Sequence, residues 1–414
     1  MEIIQSKEKL LEFLGQQEKV VVVEKNAVAR IMVRFIKRQG FEQKLLGILA
    51  EVSKEKVLLG KPCKSIREAK EEEGVKYIVV ELRNNRHEKA LSVLEEQGIR
   101  NIVLVNYEVF AEISREENPQ LDFLCAGFTK CGTTSLSTAL NMNKKIKLPK
   151  GKETFYLHWR NKYDDSPAKY REKYFAKKPS KGVKLGEIEP SYHVSARDVY
   201  ECYGKDIKLI FLVRQPVNAT FSYYKMLMRR PRRKRYVDYY KKYKKYSVEI
   251  FGDFLDDCIF SERVDRFQYD KWISEYLEYF SMDQIKVVVF EELISNTEQV
   301  MSEIQDFIGV SEKMVYESLP HSNEGSGVST NYLGAYINYR FYHSIRNRKE
   351  NKEISKKKQL FYDTAKKLQK YTTVENNDKM KEEHRAVLTE FYKPSVERLE
   401  KLLGRSLKDV WGEF

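Results

Sequence analysis

The chain has 414 residues, of which 42% are hydrophobic and 33% charged, with a net charge of +14. This composition excludes a disordered or fibrous protein, and the length exceeds that of a usual single domain, so two domains are expected. No apolar run nears the roughly 20 residues that span a bilayer, and residues 1–7 lack the pattern of a secretory signal. The cysteines at 63, 125, 131, 202 and 258 have no metal-ligand spacing, and the reading is a cytoplasmic protein that needs no metal. Residues 1–120 hold 21 Lys+Arg and 20 Asp+Glu, whereas the remaining residues hold 54 and 41. The positive excess therefore belongs to the second part, where an anionic substrate or partner is expected.

Residues 19–106 alternate short β-branched runs with amphipathic stretches. Strands are predicted at 20–23, 45–52, 77–82 and 101–106, and helices at 28–39, 65–73 and 87–97, which implies a mostly parallel sheet. This is a small Rossmann-like α/β domain over 1–117. Its first strand-to-helix turn, Glu24-Lys25-Asn26-Ala27, has no glycine, so its backbone is poorly suited to approach a pyrophosphate. The unit resembles the small α/β domain attached to bacterial enzymes that build or decorate surface polysaccharides. Residues 111–120, ending in Asn118-Pro119-Gln120, read as a polar linker.

The second domain, 121–414, opens with an apolar strand, Leu121 to Ala126, that enters Gly127-Phe128-Thr129-Lys130-Cys131-Gly132-Thr133-Thr134-Ser135-Leu136. A strand, a glycine turn and hydroxyl residues opening a helix make a phosphate cradle, because turn and helix amides aim at one point. The nucleoside-triphosphate pattern GxxxxGK[ST] would place lysine at 133, but Thr133 stands there. Lys130, Thr129, Cys131, Gly132, Thr133, Thr134 and Ser135 are the candidate phosphate-binding residues. A strand is expected at 184–188. The run 207–213 is the clearest buried strand, followed by Arg214-Gln215-Pro216 and a helix with Ser222 two turns in. Ligands collect beyond the carboxyl ends of parallel strands, so Arg214 and the loop should face one crevice and grip two phosphates of one nucleotide. Another central strand is predicted at 285–290 and a helix at 302–308. From 332 onward the chain reads as mainly helical.

These two motifs, in this order, resemble those of the sulfotransferases that use 3′-phosphoadenosine 5′-phosphosulfate (PAPS), especially the Golgi heparan-type and bacterial carbohydrate members. The resemblance covers roughly 121–414 and includes Phe290-Glu291-Glu292-Leu293 and a closing helix over 391–405 with Trp411 beyond. It implies a P-loop-like parallel sheet, a 5′-phosphosulfate loop at 127–136, a 3′-phosphate site at Arg214 and Ser222, and adenosine 3′,5′-bisphosphate as product. Lys152-Glu153-Thr154-Phe155-Tyr156 resembles the Lys-Glu-x-x-Phe pattern whose glutamate is the base, so Glu153 is the candidate base and Lys130 the catalytic cation. His158 and His193 compete as bases. Gly186-Glu187-Ile188-Glu189-Pro190-Ser191-Tyr192 resembles a further heparan-type segment, but Ile188 replaces its lysine and Glu189 a small residue. Glu187 and Glu189 are candidates for acceptor hydroxyls or an alternate base.

From Lys225 to Lys245 the sequence has 11 Lys+Arg and one acidic residue, interleaved with tyrosines. Arg229 and Arg230, with these tyrosine faces, are expected to form an acceptor platform for a carbohydrate, including an acidic glycan. Nucleic acid would fit the same pattern, but no compact nucleic-acid-reading motif accompanies it. The loop 321–329 is expected over the adenine end of the donor. Two other readings stand beside this one: an atypical P-loop nucleotide kinase needing ATP and Mg²⁺, and a non-catalytic protein binding acidic glycan or RNA. The acceptor's identity and the oligomeric state are not legible in the sequence.

Overall fold

The computed structural model describes residues 1–23, 26–50, 56–81, 86–117, 121–159, 170, 174–175, 180–204, 206–229, 231, 233–259, 264–320, 327–340, 364, 371–375 and 378–414. Valine- and isoleucine-rich runs build a first sheet of seven strands. They are β1 (Glu2–Ile4), β2 (Lys19–Val23), β3 (Leu45–Ala50), β4 (Val57–Leu58), β5 (Lys61–Ser65), β6 (Val75–Val80) and β7 (Ile102–Val105). Their spatial order is β1-β7-β6-β2-β3-β5-β4, parallel throughout except where β4 meets β5. Helices α1 (Lys7–Gln16), α2 (Asn26–Arg38), α3 (Arg86–Glu96) and α4 (Tyr107–Glu117) accompany it.

Two sequence expectations are corrected here. Residues 111–117 are not linker but the body of α4, which buries Val109, Phe110 and Ile113. Its polar residues form the opposite face: Glu116 pairs with Lys7 and accepts a 2.9 Å hydrogen bond from Arg38, tying α4 to α1 and α2. Residues 65–73 do not form a helix. Strand β5 ends at Ser65, whose hydroxyl accepts from the Arg67 amide at 3.3 Å and caps a single tight turn at Ile66–Glu68.

The second sheet has β8 (Phe123–Gly127), β9 (Ile146–Lys147), β10 (Lys184–Ile188), β11 (Lys208–Val213) and β12 (Ile285–Val289), in the order β12-β11-β8-β10-β9 and all parallel. Strand β8 lies at the centre, with Phe123 in register with Gly186 on one side and Lys208 on the other. Every residue of β8 is buried, as are Leu209 to Val213, which is why both read as continuous apolar runs. A two-stranded antiparallel ribbon joins β13 (Gly327–Ser329) to β14 (Thr373–Glu375). The helix Glu382–Leu403 buries Leu388, Tyr392, Ser395, Val396 and Leu399. It is pinned by Tyr392, whose hydroxyl lies 2.8 Å from that of Thr220, and by Arg398, 2.6 Å from Asp270. Between the two sheets the Tyr107 ring stacks on Tyr200 at 5.4 Å, and one continuous buried cluster runs from α1 to Trp411. No described helix is long and apolar enough to cross a membrane.

Candidate active site

Strand β8 delivers the chain into a turn that closes on the helix α5 (Thr133–Leu140). Gly132 caps this helix with φ +91°, and a Cβ there would lie 2.3 Å from the Phe290 ring. Only glycine satisfies both conditions. Phe290 is the first residue after β12, so a strand two places from β8, beyond β11, sends its ring against the loop. Lys130 also takes a left-handed conformation, φ 70°. The first amides of a helix have no intrahelical acceptor, so the start of α5 aims N–H donors and a positive field at the turn.

Arg214 follows β11 directly. Its guanidinium stands 4.9 Å over the Phe290 ring, and Nη1 donates to the Lys130 carbonyl at 3.3 Å. The same phenylalanine thus touches both motifs. Tyr269 makes a second link: its hydroxyl donates to the Arg214 carbonyl at 2.8 Å and lies 3.4 Å from the Cys131 sulfur. Glu291 makes a third, accepting from the Gln215 amide at 3.1 Å and from the Trp411 indole at 3.0 Å. Gly132 and Arg214 therefore meet beyond the carboxyl ends of β8 and β11. The buried Nε of Arg214 has no hydrogen-bond partner among the described residues. Ser222 sits partly buried in the helix Pro216–Arg229 that follows.

Positive charges converge on this turn. Burial, then Arg229 and Arg214, pull the Lys130 ammonium down to about 8, with Lys152 adding to the effect. Cations held together against their mutual repulsion define a place for an anion. Arg229, expected at an acceptor platform, is thus a neighbour of the phosphate loop. Lys152 is a residue that the sequence reading missed. Its ammonium lies 3.1 Å from the Thr134 hydroxyl and 3.5 Å from that of Thr133, and it pairs with Glu153 at 2.9 Å. It returns from another segment the charge that Thr133 does not supply. The available signal was its place one residue before the candidate base, in a stretch beginning at Gly151 that turns sharply, with Lys152 at φ 65° and Phe155 at φ 53°.

The remaining loop residues divide by burial. Cys131 is fully buried, its thiol pushed up to about 12 chiefly by that burial, and its amide bonds to the Phe128 carbonyl at 3.2 Å. Thr133 is buried, whereas Thr129, Thr134 and Ser135 are partly exposed. Glu153 is partly exposed and meets the loop through Lys152.

Glu187 and Glu189 are both completely buried behind it. Glu187 accepts from Thr154 and, at 2.8 Å, from Tyr170, and burial raises its carboxyl to about 7. Glu189 accepts from the Phe155 amide at 3.0 Å and the Ser191 hydroxyl at 2.6 Å. Burial, then the charges of Glu153 and Glu187, raises it to about 8. Both carboxyls therefore shape the backbone around Thr154 and Phe155, which is how they bear on Glu153.

His193 is buried, with Nδ1 2.9 Å from the Pro190 carbonyl and its ring against Phe128 and Trp272. It packs beneath the phosphate loop. His158 belongs to the short helix Tyr156–Trp159, but its side chain, like Arg230 and residues 321–326, lies outside the described residues.

Three tyrosines of the basic stretch are closed off, while Tyr243 is partly exposed. Tyr236, Tyr239 and Tyr240 are buried in the helix Lys234–Tyr243, packed against the helix Ile250–Ile259 through Phe254 and Asp257. Their spacing i, i+3, i+4 is that of a core-facing stripe.

The parallel second sheet, with a glycine turn before α5 and an arginine after β11, defines a P-loop-like anion-binding transferase fold. The Sulfotransferase domain family matches residues 120–403, and the chain belongs to that sulfotransferase family. A sulfotransferase from Alicyclobacillus acidocaldarius is similar at 21% identity and a TM-score of 0.45, over 70% of this chain and 98% of that one. The sulfotransferase domain of the Synechococcus PCC 7002 olefin synthase is similar at 16% identity and a TM-score of 0.30, over 48% and 76%. Among curated proteins, none matches.

Proposed function

We propose that this sulfotransferase uses PAPS and transfers its sulfuryl group to a carbohydrate hydroxyl, in the cytoplasm, on a bacterial surface polysaccharide or its precursor. One observation carries the donor reading: Lys130, Lys152, Arg214 and Arg229 gather at a single amide-lined turn, with the Arg214 Nε left unbonded. A donor with phosphates at both ends matches that set. Lys130, Lys152, Thr134 and Ser135 would hold the 5′ end, and Arg214 and Ser222 the 3′-phosphate. When bound, the donor supplies an activated sulfuryl group. Glu153 takes the proton of the attacking hydroxyl, while Lys130, Lys152 and the α5 amides stabilise the charge left on the phosphate side.

Cys63, Cys125, Cys131 and Cys202 form no disulfide among the described residues, which supports a reducing compartment. We place the boundary between the two units at 117–121, with 1–117 carrying no dinucleotide.

The test is transfer of label from sulfur-labelled PAPS to a panel of glycans, with Glu153→Gln as control. Label should enter at least one carbohydrate, and Glu153→Gln should abolish transfer while retaining adenosine 3′,5′-bisphosphate. Label in no glycan, with no donor binding, overturns the reading. Lys152 also restores an ammonium near the position where nucleotide kinases carry theirs. ATP with Mg²⁺ is therefore the competing donor, and phosphoryl transfer in the same assay would favour a kinase.

A further inference from the structure

The basic stretch and the segment after β13 meet on the surface. The Tyr332 amide donates to the Lys244 carbonyl at 3.4 Å, and Lys245 bridges to Asn331. Residues 332–340 form a helix that buries Gly334, Ala335 and Asn338 and leaves Tyr332, Leu333, Tyr336 and Arg340 exposed. Tyr332, Tyr336 and Arg340 follow i, i+4, i+8 spacing, so they form one stripe. The two tyrosine rings lie 6.4 Å apart, inclined by only 25°, and expose 40% and 41% of their surface. Large aromatic faces left in water and rimmed by polar groups mark a recognition surface.

Both segments are basic in sequence. No acidic residue occurs from 325 to 349 or from 239 to 248, and Lys244 and Lys245 are exposed beside Tyr332. The buried side of the same helix reaches toward the site. Asn338 donates to the Ser329 hydroxyl at 3.0 Å, and Ser329 to the Arg229 carbonyl at 3.4 Å, at the end of the helix that brings Arg229 beside Lys130.

We infer that Tyr332 and Tyr336, with Leu333, Arg340, Lys244 and Lys245, form an extended subsite for an anionic polysaccharide. Sugar rings lie on the tyrosine faces, and their carboxylates or sulfates meet the lysines and the arginine. This replaces the buried tyrosines of 236–240 as the aromatic part of the platform. The proposal rests on the carbohydrate-acceptor reading. It favours that ligand over RNA because the reaction needs an acceptor close to the Lys130 turn.

The experiment titrates the full chain by calorimetry with four probes: a uronate-containing hexasaccharide, a neutral hexasaccharide, a single-stranded RNA, and adenosine 3′,5′-bisphosphate. It compares the wild type with Tyr332→Ala/Tyr336→Ala, Lys244→Glu/Lys245→Glu and the conservative Tyr332→Phe/Tyr336→Phe. The acidic hexasaccharide should bind the wild type and the Phe variant, and bind the other two about tenfold or more weakly. Bisphosphate affinity should be the same in all four proteins. Unchanged hexasaccharide affinity in the alanine pair, equal binding of the neutral sugar, or preference for RNA would overturn the proposal. Bisphosphate that fails to bind even the wild type would sink the donor reading, while a glycan response with the expected pattern would still support this subsite.

Discussion

Two parallel sheets in one chain follow a strand directly with a helix, yet among the described residues the gathering of Lys130, Lys152 and Arg214 occurs only at the second. Helix α2, after β2, buries Val28, Ala29, Ile31, Met32, Val33, Phe35 and Ile36, and its leading turn has no glycine in sequence. Helix α5, after β8, opens with Gly132, Thr133, Thr134 and Ser135, and is met from other segments by Phe290, Arg214 and Lys152. The βα frame is common to both. What differs is the glycine that the turn carries in sequence and the charged side chains that other segments bring to the second one.

Gly132→Ala should break this contrast most. Its Cβ would collide with Phe290, at a cost of about 1–3 kcal/mol in stability, and displace the amides, with transfer falling a hundredfold or more. Thermal unfolding and the labelled-transfer assay report the two losses. The matched control is Gly98→Ala in the first unit, where φ is +75° and nothing lies within 4 Å. It should cost about 1 kcal/mol and leave activity alone.

Lys130→Ala and Lys152→Ala should each lower the transfer rate by roughly a hundredfold, the effect typical of a lost charge-stabilising donor. If Lys152→Ala leaves the transfer rate unchanged, its role is confined to its pair with Glu153. The low value for Lys130 carries its own test. An anion should bind the protonated amine, so adenosine 3′,5′-bisphosphate affinity should hold below about pH 8 and decline above it. In Lys130→Met that decline should disappear.

Arg214→Lys should weaken the bisphosphate by about tenfold, because an ammonium neither lies flat over Phe290 nor offers a fork to phosphate.

The smallest effect concerns the buried carboxyls. Glu187 and Glu189 are raised to about 7 and about 8 in the folded chain, so it holds more protons than the unfolded chain between about pH 4.5 and 8. Their contribution to stability is complete at the acid end and is lost as pH rises through 7 and 8. Urea midpoints across that range should fall in the wild type and fall less in Glu189→Gln.

The parts legible in sequence were those whose physics is local. Strand β8 and Leu209 to Val213 of β11 are buried on both faces and read as unbroken apolar runs, and a glycine followed by hydroxyls marks the start of α5. Strand β12, expected to be central, instead lies at the sheet edge with Lys286 partly exposed. Lys152 was not legible as a partner of Thr134, because a long flexible side chain reaches sideways to a residue 18 positions away. Residues 111–117 read as linker in sequence because the charged face of α4 dominates their composition, while Val109, Phe110 and Ile113 hold the other face. The tyrosines of 236–240 were read as a platform because an aromatic beside lysines looks the same whether its ring faces water or Phe254.

Trp411 reaches the backbone beside Arg214 through a single carboxylate. Its indole holds one oxygen of Glu291 while the other oxygen holds the Gln215 amide next to Arg214. Arg405 grips the neighbouring Glu292 with two bonds of 2.6 and 2.8 Å. The last turn of the chain is therefore a brace for the arginine's backbone. A protein clipped after Gly404 would keep every residue proposed to touch substrate and still lose its aim.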